Sequence, residues 1–236
     1  MAFIEVINND AHVLIDDMYR NYVPVHVSTY QVYLPDPQYP EYSIYNPNPF
    51  SYTGHSGSMP ILAVRADNGS WLPLALSMWR SGNTFYWRFY GRVAADRKAY
   101  TIVVLDTVAS ADLGSGTGLV VVRDSLGRVT FDSDRPYMKL MEVIVGNVNS
   151  AKTYAGKTVG VVVSSPAMGY ARIQSGSLTG VAFAATFPAR SGDSIITGPA
   201  QFTSLLGEQI APPAGWGTSA QVGPFVALIV DLTGIA

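Results

Sequence analysis

No cysteine occurs in the chain, which excludes a disulfide framework, a thiolate metal site and a cysteine nucleophile. Charge is scarce too: 14% of residues are Asp, Glu, Lys or Arg, where about a quarter is usual. The 15 Lys and Arg are scattered and the formal net charge is −2, so nucleic acid is not an expected partner, because phosphate binding needs concentrated positive charge. Only three histidines occur, His12, His26 and His55, and none has metal-ligand spacing to another. No apolar run approaches the length of a membrane helix. The opening MAFIEVINND puts acidic and polar residues where an export signal would carry a basic segment and an apolar core, so no such signal is expected. Helical periodicity is weak throughout; the best candidate, 200–210, is short.

What the chain does contain is 48% apolar residues with 22 glycines and 15 prolines among 236 residues, a composition suited to strands and turns. It also contains an internal echo. Shifting the N-terminal segment by 116 positions lays Val6 on Val122, Val13 on Val129 and Asp16 on Asp132. Both segments read as an apolar run, a polar cluster, alternating residues and an acidic turn, which is the pattern of a hairpin. Ile102-Val103-Val104-Leu105-Asp106 near the end of the first half resembles Leu228-Ile229-Val230-Asp231-Leu232 at the end of the second. A repeat of this period predicts a duplicated domain and not a solenoid. The expectation is an all-β fold of two related antiparallel β-sandwich-like domains from an internal duplication, residues 1–112 and 113–236, joined near the small-residue linker 109–118. Within it TVGVVVSSP answers ILAVRADNG, and GVAFAATFP answers TFYWRFYGR. The latter has five aromatics within residues 84–93, on both faces, and a strand of that kind is expected to be covered on both.

Residues 31–58 stand apart, with five prolines interleaved with five tyrosines. Proline at this density excludes helix and interior strand, so the segment reads as a surface loop or extended arm. Tyrosine offers a large contact area with few rotors, and proline reduces the entropy lost on ordering. The expected contact residues are Tyr33, Tyr39, Tyr42, Tyr45, Phe50 and Tyr52, joined by Trp216 in a second loop-like insertion, 203–224. The same composition suits an arm packed on its own domain or on a neighbouring subunit.

Enzyme motifs fail one by one. GSGTG at 114–118 lacks the third glycine and is followed by strand residues, so it reads as linker. GHSGS at 54–58 ends in Ser58 where a nucleophile elbow needs glycine, and reads as a flexible loop end. Asp16-Asp17 and Asp132-Ser133-Asp134 sit at the same place in the repeat and lack calcium-loop spacing, so they read as turn residues accepting backbone hydrogen bonds. No catalytic residue, metal or cofactor is expected.

The start FIEVINNDAHVLIDDMYRNYVPV and its echo GLVVVRDSLGRVTFDSDRPYMKLMEVI resemble small proteins encoded among the tail-tip genes of long-tailed bacteriophages. In those a strand, a turn, a strand ending in Phe-Asp-Ser and a basic or tyrosine-containing segment recur near the N-terminus. Residues 119–135 keep Phe131-Asp132-Ser133, whereas the first copy has Ile15-Asp16-Asp17. The resemblance covers about twenty residues in each half. It implies a virion structural protein of the tail tip, baseplate or fibre, present in several copies, made in a host cytoplasm and released by lysis. Its implied partners are other phage tail proteins, copies of itself and a host surface receptor. A carbohydrate-binding module is the alternative, with Trp71, Trp79, Tyr42, Tyr45 and Trp216 as candidate stacking residues. A tail depolymerase would need convergent carboxylates, and the acidic residues here are dispersed at turns.

Overall fold

The computed structural model describes residues 3–7, 12–16, 22–32, 48–67, 69–91, 99–107, 118–123, 126–127, 129–146, 153–175, 178–204 and 219–235. It is all-β, and no helix occurs among the described residues. In chain order the strands are β1 (Phe3–Ile7), β2 (His12–Asp16), β3 (Tyr22–Gln31), β4 (Phe50–Thr53), β5 (Ile61–Arg65), β6 (Leu74–Ser81), β7 (Thr84–Tyr90) and β8 (Ala99–Thr107). There follow β9 (Val121–Arg123), β10 (Val129–Asp132), β11 (Lys139–Val145), β12 (Val159–Ser175), β13 (Leu178–Ser191), β14 (Ser194–Ser204) and β15 (Ser219–Asp231).

The main sheet has the order β11-β15-β12-β5-β8-β3, with β13 and β14 added beside β12. Read from either end, this path is outer strand, central strand, inner strand. The inner strands β5 and β12 pair antiparallel at Val64↔Val161 and Arg65↔Gly160, so the two halves of the chain share one sheet. The boundary expected near 109–118 falls almost wholly outside the described residues.

The sheet curls until its outer strands meet at their starts, where the Met138 N–H donates to the Tyr22 carbonyl at 2.8 Å. Ala63, Val103, Leu105, Val162, Val230 and Leu232 form one buried cluster on the face turned inward, with Tyr22, Ile61, Met138 and Leu228 packed against it. Small and β-branched residues suit the lumen of a narrow barrel. The opposite face carries Leu62, Val64, Ile102, Val104, Val161, Phe225, Ala227 and Ile229, in the main core cluster with Phe50, Phe85, Trp87 and Phe89 of the three-stranded sheet β4-β7-β6. Thus β5, β8 and β15 are buried on both faces, as their near-continuous apolar runs require.

Several features recur at the 116-residue spacing. The register shifts between Pro24 and His26 where β3 meets β8, and between Leu140 and Glu142 where β11 meets β15. Each shift inserts an extra residue that bends its strand. Tyr22 and Met138, which close the curl, are themselves 116 positions apart. The hairpins β1-β2 and β9-β10 occupy matching places but not matching registers: Asp16 faces Phe3, while Asp132 faces Val121 and not Leu119.

The expected match of GVAFAATFP with TFYWRFYGR is corrected. Residues 180–188 belong to β13, which precedes the turn Arg190-Ser191-Gly192-Asp193 as β6 precedes Arg80-Ser81-Gly82-Asn83. Both turns hold glycine at positive φ, +58° at Gly82 and +59° at Gly192, where a Cβ would be strained. In both, the arginine Nε donates to that glycine's carbonyl, at 2.5 Å from Arg80 and 3.0 Å from Arg190. It is β14 that stands in the place of β7.

Candidate functional site: an aromatic face on the three-stranded sheet

β7 alternates strictly, as a half-buried strand must. Phe85, Trp87 and Phe89 are buried, while Tyr86, Arg88 and Tyr90 are half-exposed. The expectation that this strand is covered on both faces is therefore corrected: its second face is an outer surface.

Across the hairpin Trp79 stands opposite Tyr86. The two rings stack with centroids 5.4 Å apart and 7° between their planes. The Arg88 guanidinium lies 5.7 Å from the centre of the Trp79 ring, within reach of the ring quadrupole. Trp79 remains 40% exposed. β4 extends the same face, and the Thr53 and Thr84 hydroxyls are hydrogen-bonded at 2.9 Å. The surface thus offers a flat aromatic pair, a guanidinium and hydroxyls, and β4, β6 and β7 contain no carboxylate.

The Tyr/Pro arm leaves the sheet beside this surface. Residues 33–47 lie outside the described residues, but both roots of the arm are fixed. Val32 is fully buried and Phe50 is buried. The Tyr30 hydroxyl donates to the Asn48 carbonyl at 2.5 Å, and its ring packs 5.7 Å from Phe50 and 5.6 Å from Phe89. Burial pushes the Tyr30 phenol up to about 12, against a smaller opposing pull from Arg88.

Of the expected contact residues, Tyr33, Tyr39, Tyr42, Tyr45 and Trp216 lie outside the described residues. Phe50 is a correction, for it belongs to the core between Tyr30, Trp87 and Phe89. It opens β4, whose alternate residues Phe50 and Tyr52 face Trp87 and Phe85, and the period-two rule turns both inward. Tyr52 is half-buried. Among the sugar-stacking candidates Trp71 is half-buried and packed against its own chain: its ring lies over Gly198, where an added Cβ would come within 2.6 Å. Tyr86 and Arg88 were not anticipated, although five aromatics in one short strand cannot all face one core.

The GHSGS segment, expected as a flexible loop end, is clasped instead. The His55 N–H donates to Ser58 Oγ at 2.7 Å, the Gly57 N–H donates to His55 Nδ1 at 3.1 Å, and Nε2 donates to the Thr107 carbonyl at 2.5 Å. Both ring nitrogens are engaged by backbone and Ser58 is buried, so these residues make no nucleophile–base pair. Asp106, fully buried, accepts the Met59 and Thr107 N–H groups on Oδ1 at 3.1 and 2.8 Å. The Phe-Asp-Ser turn is also built by backbone hydrogen bonds. Asp132 Oδ1 accepts from Gly118 at 2.9 Å and from Asp134 at 3.0 Å, and Ser133 Oγ accepts from Val120 at 3.0 Å. Phe131 stacks on Tyr137 with centroids 4.6 Å apart. Among the described residues no cluster of three or more His, Asp or Glu could hold a metal ion.

Compared with known proteins, the chain matches no family model, no curated protein and no solved structure.

Proposed function

We propose that the chain is a structural component of a long-tailed bacteriophage tail tip, baseplate or fibre, built on an internally duplicated β unit, that assembles with other tail proteins and presents a surface to the host. The observation that carries this reading is the pairing of a Tyr/Pro-rich arm with a stiff anchor. The arm's two roots, Val32 and Asn48, are fixed by burial and by the Tyr30 hydroxyl, so the binding energy of the arm's tyrosines is not spent on ordering its base. The Phe131-Asp132-Ser133 turn, which carries the resemblance, supports the same reading because its polar groups are consumed in holding backbone. The reading is tested by peptide mass spectrometry of particles purified from lysates of the phage or prophage that encodes the chain. Several copies per particle are expected, and absence from the particles refutes it.

A second reading rests on one observation, the stacked Trp79 and Tyr86 on an exposed sheet face. Aromatic faces beside hydroxyls suit sugar rings, so this surface is the place at which a carbohydrate-binding module would hold a host glycan. A glycan array settles the matter: binding abolished by Trp79→Ala supports it, and no binding by the unaltered chain removes it.

A further inference from the structure

The joint between the inner strands is unfinished. The Ala66 N–H donates to the Val159 carbonyl at 2.8 Å, and Val64 stands opposite Val161. Bonded pairs recur every second residue in an antiparallel ladder, so the next would join Leu62 to Val163. It is not made, and the strands part into a fork.

The local causes are visible. Pro60, just before β5, has no N–H to offer. On the other arm, the pairing of β12 with β15 shifts register between Val163 and Ser165 and again between Pro166 and Met168, and such bulges re-aim a strand. Between those last two lies Ala167 at φ +42°, the one non-glycine residue at positive φ among the described residues. Backbone held in that region is costly and persists where the surroundings impose it.

A cavity of about 250 Å³ opens in the fork, walled by Leu62, Val64, Trp87, Val161, Val163 and Leu228. Every side chain lining it is apolar except Ser164. Met78, 61% exposed, stands at its mouth. An enclosed apolar cavity of about 150 Å³ already accepts benzene, so this space takes side chains of ordinary size. A hydrocarbon, however, would leave the Leu62 and Val163 main chains without partners, whereas an added strand supplies them.

We propose that the fork receives an extended, uncharged apolar segment of another polypeptide as an inserted strand, bonded to the main chains of Leu62 and Val163 with its side chains in the cavity. The proposal stands apart from the tail-component reading, since it concerns the chain's own chemistry whether or not virions contain it. The probe is a short acetylated and amidated peptide alternating valine and threonine, titrated into the full chain by calorimetry. Alongside it runs the same peptide N-methylated at its bonding positions, and amide exchange is followed at Leu62 and Val163. Saturable binding is expected, weakened about tenfold or more by N-methylation, with slowed exchange at Leu62 and Val163. Ala75→Phe, which fills the mouth from an exposed position, is expected to weaken binding similarly. Equal binding of the N-methylated peptide would mark a pocket indifferent to backbone and overturn the proposal, as would no saturable binding of either peptide. The comparison of the two peptides uses the unaltered chain, so it decides the matter even if Ala75→Phe misfolds.

Discussion

Asp106 and Asp231 stand near the ends of the two central strands at the same place in the sheet, yet Asp231 has partners on both carboxylate oxygens while Asp106 Oδ2 is buried without one. Asp106 is fully buried and clasps the Met59 and Thr107 backbone beside the GHSGS turn. Asp231 accepts the Thr233 N–H at 2.9 Å and the Lys157 ammonium at 3.1 Å. The same contrast runs through the packing. The first half fills its core with Phe50, Phe85, Trp87 and Phe89, whereas the second places Ile195 where β7 has aromatics. Strand order and bulges recur across the halves while the means of filling and satisfying the fold differ, so topology constrains which positions are buried far more than which residues bury them.

The comparison breaks most sharply at the aromatic core. Phe89→Ala is expected to cost about 3–5 kcal/mol, read as a lower urea midpoint at unchanged slope. Ile195→Val, in the sparser half, should cost only about 0.5–1.5 kcal/mol. Next come the strand-end carboxylates. Asp106→Ala removes the shared acceptor of the Met59 and Thr107 N–H groups, which are part-buried, and should cost about 2–3 kcal/mol, more than Asp231→Asn at about 1–2 kcal/mol.

The two sites also differ in acid. Burial pushes the Asp231 carboxyl up, but hydrogen bonds from the Thr233 hydroxyl and N–H, together with Lys157, outweigh it and hold the carboxyl below its ordinary value. A depressed carboxylate contributes stability above its unfolded value and loses it as pH falls through the folded one. The deficit of Asp231→Asn should therefore be full at neutral pH and vanish as pH drops below about 4, which denaturant titrations across that window would reveal.

Two further substitutions sharpen the picture. At Gly54 an added Cβ would meet Ser58 Oγ at 2.2 Å and Asp106 Oδ2 at 3.2 Å, so Gly54→Ala should cost about 1–3 kcal/mol by crowding the first clasp. A change as small as that of Ile195→Val is expected from Tyr30→Phe, about 0.5–1.5 kcal/mol for the bond to Asn48. Its phenol is raised by burial to about 12, so the stability it contributes is complete below pH ~10 and lost as pH rises through ~12. Stability curves of the variant and the unaltered chain should converge in that alkaline window.

Much of the fold can be read from runs such as Ile102–Leu105 and Val226–Val230, whose β-branched continuity fits strands covered on both faces. The repeated Arg-Ser-Gly turns were equally readable. Residues 180–188 nevertheless resemble β7 as well as β6, because all are apolar strands and local patterns do not say which strand precedes which turn. The burial of Phe50 is hidden for a related reason: proline density describes the arm as a whole and is silent on where its last residues re-enter the sheet. That β5 finds β12, and that Tyr22 finds Met138, depends on backbone pairing across about a hundred residues, which no periodicity encodes. Trp79 and Tyr86 could be seen as aromatic, but their stacking follows from the β6-β7 register.

The closure of the curl also dates the folding of the chain. During synthesis β5 emerges with one side paired to nothing until Val161 is made, and Tyr22 waits for Met138. Contacts so distant in sequence are slow to form, and an unpaired strand edge is prone to aggregate in the interval. The first half therefore passes through a stage on the ribosome in which its inner edge is bare, and a pause in translation between residues 107 and 159 is where a chaperone would find the most to hold.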